Sequence, residues 1–150
     1  MALARLVKFY ENFSLDSIAR LGEVYDSEVR FVDPLHEIVG LEELTRYFQH
    51  VCNSSVQFVI TDSGEFAGGD KAFLRWDMKY SHRSLSGGKE LTLQGMSFIE
   101  CSREGQNEDS STSKVVFHQD YYDLGAMVYQ HVPVLGFAVR KVNQKLKASA

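Results

Sequence analysis

Two short stretches of the sequence place acid–base side chains where a cavity could use them. The first is Asp33-Pro34-Leu35-His36, which follows the alternating Val29 and Phe31. Because proline cannot donate to a sheet ladder, Asp33 is expected to lie where its strand leaves the sheet, with its carboxylate towards a cavity. The structural alternative is a carboxylate that caps its own turn through the N–H groups of its neighbours. His36 would relay a proton at the pocket mouth or lie exposed in the loop.

The second stretch is His118-Gln119-Asp120-Tyr121-Tyr122-Asp123. The two-residue period of a strand puts His118, Asp120 and Tyr122 on one face, with the alternate residues opposite. If that face borders the same cavity as Asp33, an imidazole, a carboxylate and a phenol form an acid–base set. The alternative is a His–Asp hydrogen bond that only satisfies two half-buried polar groups.

The same histidines and aspartates also make a conceivable metal site. The candidate ligands are Asp33, His36, His118 and Asp120, but no tight spacing such as H-x-x-x-H supports them. Serine and cysteine nucleophile motifs, a P-loop and a dinucleotide fingerprint are absent from the sequence. We therefore expect neither a metal nor a cofactor.

Helical periods dominate the first third of the chain. The first dozen residues are predicted to be an amphipathic helix that buries Leu3, Leu6, Val7 and Tyr10. Ser14 is predicted to cap a second helix. The apolar face of that helix is Leu15, Ile18, Leu21 and Val24 or Tyr25. A strand is expected next, over residues 28–33. A helix is expected over residues 41–52, directly after Gly40, which breaks the extended segment before it.

The remaining chain has the two-residue period of strands, followed by one last helix. Strands are predicted over residues 56–61, 72–81, 91–100 and 114–122. Residues 102–113 are polar and predict a mobile hairpin loop, with a linker to a separate domain as the second choice. The side chains of Trp76, Met78, Tyr80, Met96 and Phe98 would line a ligand pocket or pack a core. The last helix follows Pro133, with a packing face of Leu135, Ala138 or Val139, Val142 and Leu146.

Helices followed by a run of antiparallel strands predict a single α+β domain over residues 1–150. Its curved antiparallel sheet would form a cone around the N-terminal helices, with a C-terminal helical extension. The order of strand, Asp33-Pro34, Gly40 and helix resembles the nuclear transport factor 2-like superfamily, in particular its ketosteroid isomerase-like and SnoaL-like branches.

The resemblance implies roles for several residues. Asp33 holds the place of the isomerase general base, and Tyr10 that of an oxyanion-hole donor, although Leu6 and Phe9 align nearly as well. The second donor of the isomerase oxyanion hole is a protonated Asp on a later strand. The matching position in this chain is at or next to Gln94, whose amide can donate a hydrogen bond in place of the carboxylic acid. SnoaL-like aldol cyclases place a catalytic acid or base where this chain has Asp120 or Asp123.

The resemblance also implies a homodimer formed through the outer face of the sheet. Phe73 is the apolar residue among the charges of its strand that indicates such a contact. The function predicted from these observations is cofactor-free acid–base chemistry on an apolar small molecule, by an isomerase, cyclase, hydratase or epoxide hydrolase. Tyr10, Tyr25 or Tyr122 would position the ligand. The alternative is a non-catalytic module that binds a lipid or polyketide-like ligand, or a dimeric scaffold.

Charge and cysteine content limit the partners and the compartment. The net charge of -4, with no basic cluster in the body of the chain, argues against nucleic acid. Basic residues concentrate only at Arg140, Lys141, Lys145 and Lys147, where they complement a helix dipole; membrane contact is the alternative. Two cysteines are too few for a disulfide framework, and no secretion signal or spanning segment is evident, so we expect a cytoplasmic protein.

Overall fold

The computed structural model describes residues 2–52, 55–81, 86–103, 112–127 and 133–149. The helices are α1 (Ala2–Glu11), α2 (Leu15–Ile18), α3 (Leu41–Cys52), α4 (Leu124–Met127) and α5 (Pro133–Ser149). The strands are β1 (Tyr25–Val32), β2 (Glu37–Val39), β3 (Ser55–Glu65), β4 (Lys71–Ser81), β5 (Leu91–Cys101) and β6 (Val115–Tyr122). A 3-10 turn occurs at Leu21–Glu23, and a tight turn at Ser86–Gly88 has Gly87 at φ +67.

One curved, open sheet joins the six strands of the described chain, in the order β2-β1-β6-β5-β4-β3. Every neighbouring pair is antiparallel except β1 and β6, which run parallel. The sheet bends around α1 and α3, which pack against β3 and β1. This is the predicted α+β cone.

The inner face of the sheet carries the core, as the two-residue period predicts. On β4, Leu74, Trp76 and Tyr80 are buried, and on β1 Val29 and Phe31 are buried. The intervening residues are more exposed along both strands. The alternation therefore sets which side chains can reach the space between the sheet and the helices.

The second predicted helix is shorter than expected, and its predicted apolar face is wrong at Leu15. Ser14 forms a capping box with Ser17, but α2 ends after one turn and the chain continues into a 3-10 turn. Ile18 and Leu21 are buried, whereas Leu15 is 59% exposed. A 3-10 turn has fewer residues per turn than an α-helix. Leu15 and Leu21 therefore do not lie on one face, as they would in a continuous α-helix.

The first strand begins earlier than predicted, at Tyr25. Its start is fixed by β6, because Tyr25 pairs with Val115 and the Val115 N–H donates to the Val24 carbonyl at 2.9 Å. The sequence also did not predict β2, whose three residues pair with β1 and are too few to show a period. Gly40 ends β2 with φ +93 and releases the chain into α3, as expected.

Two side chains of β5 face away from the predicted lining. Met96 pairs with Arg75 and is 47% exposed, and Phe98 pairs with Phe73 on the same outer face. The prediction that Met96 and Phe98 face inward with Trp76 is therefore wrong, because Trp76 lies opposite Gly95.

The terminal helix forms after Pro133 as predicted, but the described part of its packing face is wrong. Val142 is 56% exposed and Leu146 is 64% exposed, and Ala138 is exposed as well. No described element of the chain covers them. The side chains of Leu135 and Val139 lie outside the described residues, as does most of the predicted loop at residues 102–113. None of the described helices is both long enough and apolar enough to span a membrane.

Candidate functional site

A cavity of about 440 Å³ opens between the inner face of the sheet and helices α1 and α3. Nine of its described lining residues are Phe, Tyr or Trp, so the walls are mostly aromatic. Asp33 and Asp120 supply the carboxylates of the lining, and none of the described lining residues is Lys or Arg. The described wall of the cavity thus combines an apolar surface with negative charge.

Asp33 lies at the end of β1, lines the cavity and caps its own turn. Its side chain is 2% exposed. Oδ1 accepts the backbone N–H groups of Leu35 and His36, both at 2.7 Å, and Oδ2 accepts the Tyr47 hydroxyl at 2.7 Å. The Nδ1 atom of His36 lies 3.1 Å from Oδ1. Both oxygens of Asp33 are therefore engaged by protein groups.

The second carboxylate ends a buried chain of hydrogen bonds. His118 is 0% exposed, and its Nε2 lies 2.7 Å from Oδ1 of Asp120. Its Nδ1 lies 2.9 Å from the Tyr25 hydroxyl, which lies 2.9 Å from the Tyr10 hydroxyl. If the carboxylate accepts from Nε2–H, Nδ1 accepts from Tyr25 and Tyr25 accepts from Tyr10. In that arrangement the hydroxyl of Tyr10 donates to Tyr25, the hydroxyl of Tyr25 donates to His118, and His118 donates to Asp120.

Ser97 and Trp76 hold Asp120 from the other side. The Ser97 hydroxyl donates to Oδ1 of Asp120, and the Trp76 indole N–H donates to Ser97 Oγ at 2.9 Å. The indole lies against Gly95, where an added Cβ would be 2.3 Å from its ring. No hydrogen bond from the described residues reaches Oδ2 of Asp120, and the side chain is 16% exposed. Oδ1 is thus fixed by two side chains, whereas Oδ2 has no hydrogen bond from the described residues.

Burial keeps the hydroxyl groups of the site protonated. It raises the pKa of Tyr10 and of Tyr25 well above the ordinary value. Burial also raises the pKa of Tyr47 and of Tyr122, and the negative charges of Asp33 and Asp120 add to both shifts. These phenols therefore act as hydrogen-bonding groups at neutral pH. Because both carboxylates act on Tyr122, their fields overlap in the cavity.

The structure brings most of the predicted site residues together. The cavity is lined by Tyr10, Asp33, His36, Trp76, Met78, Asp120 and Tyr122. His118 and Tyr25 lie behind that lining and reach it through Asp120 and Tyr10.

Two predicted residues lie elsewhere. Gln94 is exposed on the outer face of the sheet, because it pairs with Asp77 while its neighbours in sequence face inward. Asp123 is exposed beyond the end of β6, where its Oδ1 accepts the Ala126 N–H at 3.2 Å and caps α4. Of the two aspartates that the resemblance left open, Asp120 faces the cavity.

Sequence reasoning missed Ser97 and the link between Tyr47 and Asp33. The alternation of β5 with buried Leu93 and Ile99 does assign Ser97 to the inner face, and a serine there is a usable signal. The contact between Tyr47 and Asp33 joins α3 to the end of β1 and has no local signature. Among the described residues, no group of three or more His, Cys, Asp or Glu side chains is arranged to hold a metal ion.

Comparison with known proteins gives a family and a fold. The family model of the SnoaL-like domain matches residues 6–107. No curated protein matches the sequence.

Many solved structures share the fold at low sequence identity. A putative polyketide cyclase from Xanthomonas campestris pv. campestris has a TM-score of 0.66 at 15% identity, covering 86% of this chain and 95% of its own. SalBIII, an epoxide hydrolase/cyclase-like enzyme in pyran ring formation in salinomycin, has a TM-score of 0.65 at 10% identity, with 83% and 90% covered. A protein of ketosteroid isomerase-like fold from Catenulispora acidiphila, in complex with trimethylamine, has a TM-score of 0.64 at 14% identity, with 87% and 91% covered.

Proposed function

Because this chain belongs to the SnoaL-like domain family of the nuclear transport factor 2-like superfamily, we propose that its cavity binds a mainly apolar small molecule and performs cofactor-free acid–base chemistry on it. The observation that carries the proposal is the arrangement of Asp120, which lines the cavity, has Oδ1 held by His118 and Ser97, and has no described hydrogen bond at Oδ2. Hydrogen bonds to one oxygen orient the carboxylate, and the other oxygen remains available to accept a proton.

Asp120 is the general base of this proposal, and Asp33 is an anchor at the end of β1. All the acceptor contacts described for Asp33 hold its own turn and Tyr47 in place, so its oxygens are less available to a ligand. His118 positions Asp120 through Nε2 and is itself positioned by Tyr25. Tyr122 lines the cavity as a protonated phenol that can donate to a ligand oxygen.

Two reaction types suit this arrangement. In one, Asp120 takes a proton from a carbon next to a carbonyl. An isomerase returns this proton to another carbon of the substrate, whereas in an aldol cyclase the carbanion bonds to the carbon of a second carbonyl, and the oxygen of that carbonyl takes the proton from Asp120. In the other, Asp120 takes a proton from water or a substrate hydroxyl while the oxygen of that water or hydroxyl bonds to an epoxide carbon. The epoxide C–O bond breaks, and the released oxygen takes a proton from Tyr122, which regains one from the protonated Asp120, or takes it from Asp120 directly. Fold similarity to a putative polyketide cyclase and to SalBIII supports these types.

The engagement of both Asp33 oxygens favours a second candidate, a ligand-binding module without catalysis. Turnover of a simple epoxide, styrene oxide, and of a β,γ-unsaturated ketone, 3-cyclohexen-1-one, distinguishes the two candidates. Asp120→Asn is expected to reduce turnover by about 100-fold. The control is Asp123→Asn, which changes an exposed aspartate three positions along and should retain full activity. Binding of these probes without turnover would favour the non-catalytic module, and full activity of Asp120→Asn would exclude Asp120 as the base.

The proposal includes a homodimer of a single-domain cytoplasmic protein. Support comes from the outer face of the sheet, where Phe66 is 49% exposed and Tyr121 is 54% exposed beside Met96, Phe73 and Phe98. Apolar patches of this kind mark interaction surfaces. Met96→Glu is expected to give monomers in sedimentation velocity, whereas Thr92→Glu on the same face of β5 should leave the dimer intact. A wild-type protein that sediments as a monomer would contradict the dimer.

A further inference from the structure

We propose that the ligand of this cavity carries a positively charged amine, which lies against aromatic rings and has Asp120 as its counter-ion. The inference rests on the proposed function, because it requires the cavity to bind a small molecule. It adds the chemical class of that molecule: an apolar body with a protonated or quaternary ammonium group.

The first argument is the wall of the cavity. Trp76 stands between Phe58 and Tyr122, with ring centroids 5.9 Å and 6.2 Å away, and Tyr10 lies 5.1 Å from Phe58. All four rings line the cavity. The face of an aromatic ring is negative and attracts cations, most strongly in Trp and Tyr. A contiguous set of such rings is the surface that recognises ammonium groups in other proteins.

The second argument is the charge of the lining. Among its described residues there is no Lys or Arg, and the histidines that line it, His36 and His50, are exposed. His36 contacts Asp33 and can offset its charge when protonated. The described part of the lining therefore offers no permanent cation to these carboxylates.

Asp120 in particular has no Lys or Arg among its described hydrogen-bonding partners. Ser97 contributes a hydroxyl, and His118 contributes its imidazole Nε2 at 2.7 Å. A carboxylate whose side chain is only 16% exposed, and which has no Lys or Arg partner among the described residues, is costly when a ligand excludes water. A cationic ligand removes that cost.

Other ligand classes fit less well. An anion would meet two carboxylates whose fields overlap at Tyr122. A neutral apolar ligand would desolvate Asp120 without replacing its water by an opposite charge. The volume of about 440 Å³ leaves room for an apolar body beyond the ammonium group.

The experiment compares three probes of one shape and different charge. These are choline, its neutral carbon analogue 3,3-dimethylbutan-1-ol, and the anion 3,3-dimethylbutanoate. Trp76 is the single tryptophan of the chain and lines the cavity, so its fluorescence reports binding directly. Wild-type protein is expected to bind choline at least about tenfold more tightly than the neutral analogue, and to bind the anion most weakly.

Two variants test the source of the preference. Asp120→Asn is expected to remove most of the preference for choline over the alcohol, and Asp123→Asn is expected to retain it. Tyr122→Leu, at a half-buried position, should weaken choline binding more than binding of the alcohol. Thermal unfolding of each variant shows whether it is folded. The comparison of the three probes with wild-type protein does not depend on the folding of any variant.

The outcomes separate this inference from the proposed function. Equal or tighter binding of the alcohol by wild-type protein would overturn the cationic ligand and leave an apolar pocket. An unchanged preference in Asp120→Asn would overturn the role of Asp120 as counter-ion. Absence of any fluorescence change or saturation-transfer NMR signal with all three probes would count against both the amine and the small-molecule cavity.

Discussion

The imidazole Nε2 of His118 lies 2.7 Å from Oδ1 of Asp120, although the two residues are on the same strand. Neighbours on one face of a strand normally stand parallel to each other, so this contact fixes both side chains in a single arrangement. Tyr25 completes it by meeting the other nitrogen of His118 at 2.9 Å. The carboxylate that faces the cavity is therefore oriented by residues that do not face it.

Removal of the Tyr25 hydroxyl should destabilise the fold. In Tyr25→Phe, Nδ1 of His118 loses its partner at a fully buried position, and an unsatisfied buried group costs about 1–3 kcal/mol. Tyr10→Phe removes a hydroxyl one step further along the chain and should cost less. Urea unfolding of both variants measures the difference. Equal losses of unfolding free energy in the two variants would show that the hydrogen bond between Tyr25 and His118 stabilises the fold no more than the one between Tyr10 and Tyr25.

A methyl group at Gly95 should displace Trp76. The added Cβ would stand 2.3 Å from the indole ring, and overpacking of this kind costs about 1–3 kcal/mol. The same substitution should cost less in a Trp76→Phe background, since the smaller ring leaves space. Unfolding free energies of the two single variants and the double variant test this coupling. Additive losses would contradict the predicted clash.

The turn that follows β1 should depend on the Asp33 carboxylate. Asp33→Ala leaves the N–H groups of Leu35 and His36 and the Tyr47 hydroxyl without their acceptor, with an expected loss of about 1–3 kcal/mol. Asp33→Asn keeps one carbonyl oxygen and should lose less. Asp26→Ala is the control, because its bond to the Glu28 N–H is exposed to water. Equal stability of Asp33→Ala and the wild type in urea would count against this anchor.

Stability should fall steeply at alkaline pH. Burial raises the pKa of Tyr10 and Tyr25 in the folded protein above the value of 10.0 that applies to the unfolded chain. Their contribution is fully present below pH 10, and it is lost as pH rises further, because the unfolded state then releases protons that the folded state keeps. Each tyrosine adds a slope of about -1.4 kcal/mol per pH unit. Tyr10→Phe should have a shallower slope in urea unfolding between about pH 10 and 11; an unchanged slope would contradict the prediction.

Alkylation should distinguish the two cysteines. Burial raises the pKa of Cys101 to about 11, so little thiolate is present at neutral pH, and the side chain is also shielded. Cys52 is partly exposed at the end of α3. Native protein treated with iodoacetamide should be modified at Cys52 and not at Cys101, and urea should expose both. Modification of native Cys52→Ser at a rate equal to that of Cys101→Ser would contradict the burial of Cys101.

The two-residue periods in the sequence were sufficient to predict five of the six described strands and the face of β6 that lines the cavity. His118, Asp120 and Tyr122 lie on one side, as their alternation predicts, and the Asp33 position follows from the proline after it. Gln94 was misplaced because it was assigned from the resemblance, whereas the period of its own strand puts it on the outer face.

Other features depend on tertiary contacts that no local pattern encodes. Tyr25 was grouped with a helix because its neighbours repeat at helical spacing, and only the pairing with Val115 draws it into β1. Val142 and Leu146 belong to an apolar stripe along α5, and such a stripe predicts that the helix packs against another element. The stripe does not show which element that is, and both side chains are exposed.

The parallel pairing of β1 with β6 has a consequence for the order in which the protein assembles. The two strands that carry Asp33 and Asp120 are adjacent in space but are separated by most of the chain, so the site has a high contact order. During synthesis on the ribosome, β1 has no neighbour on that side until the last strand emerges. The pocket therefore forms together with the completed sheet, and a chain truncated before Val115 would present β1 as an unprotected edge.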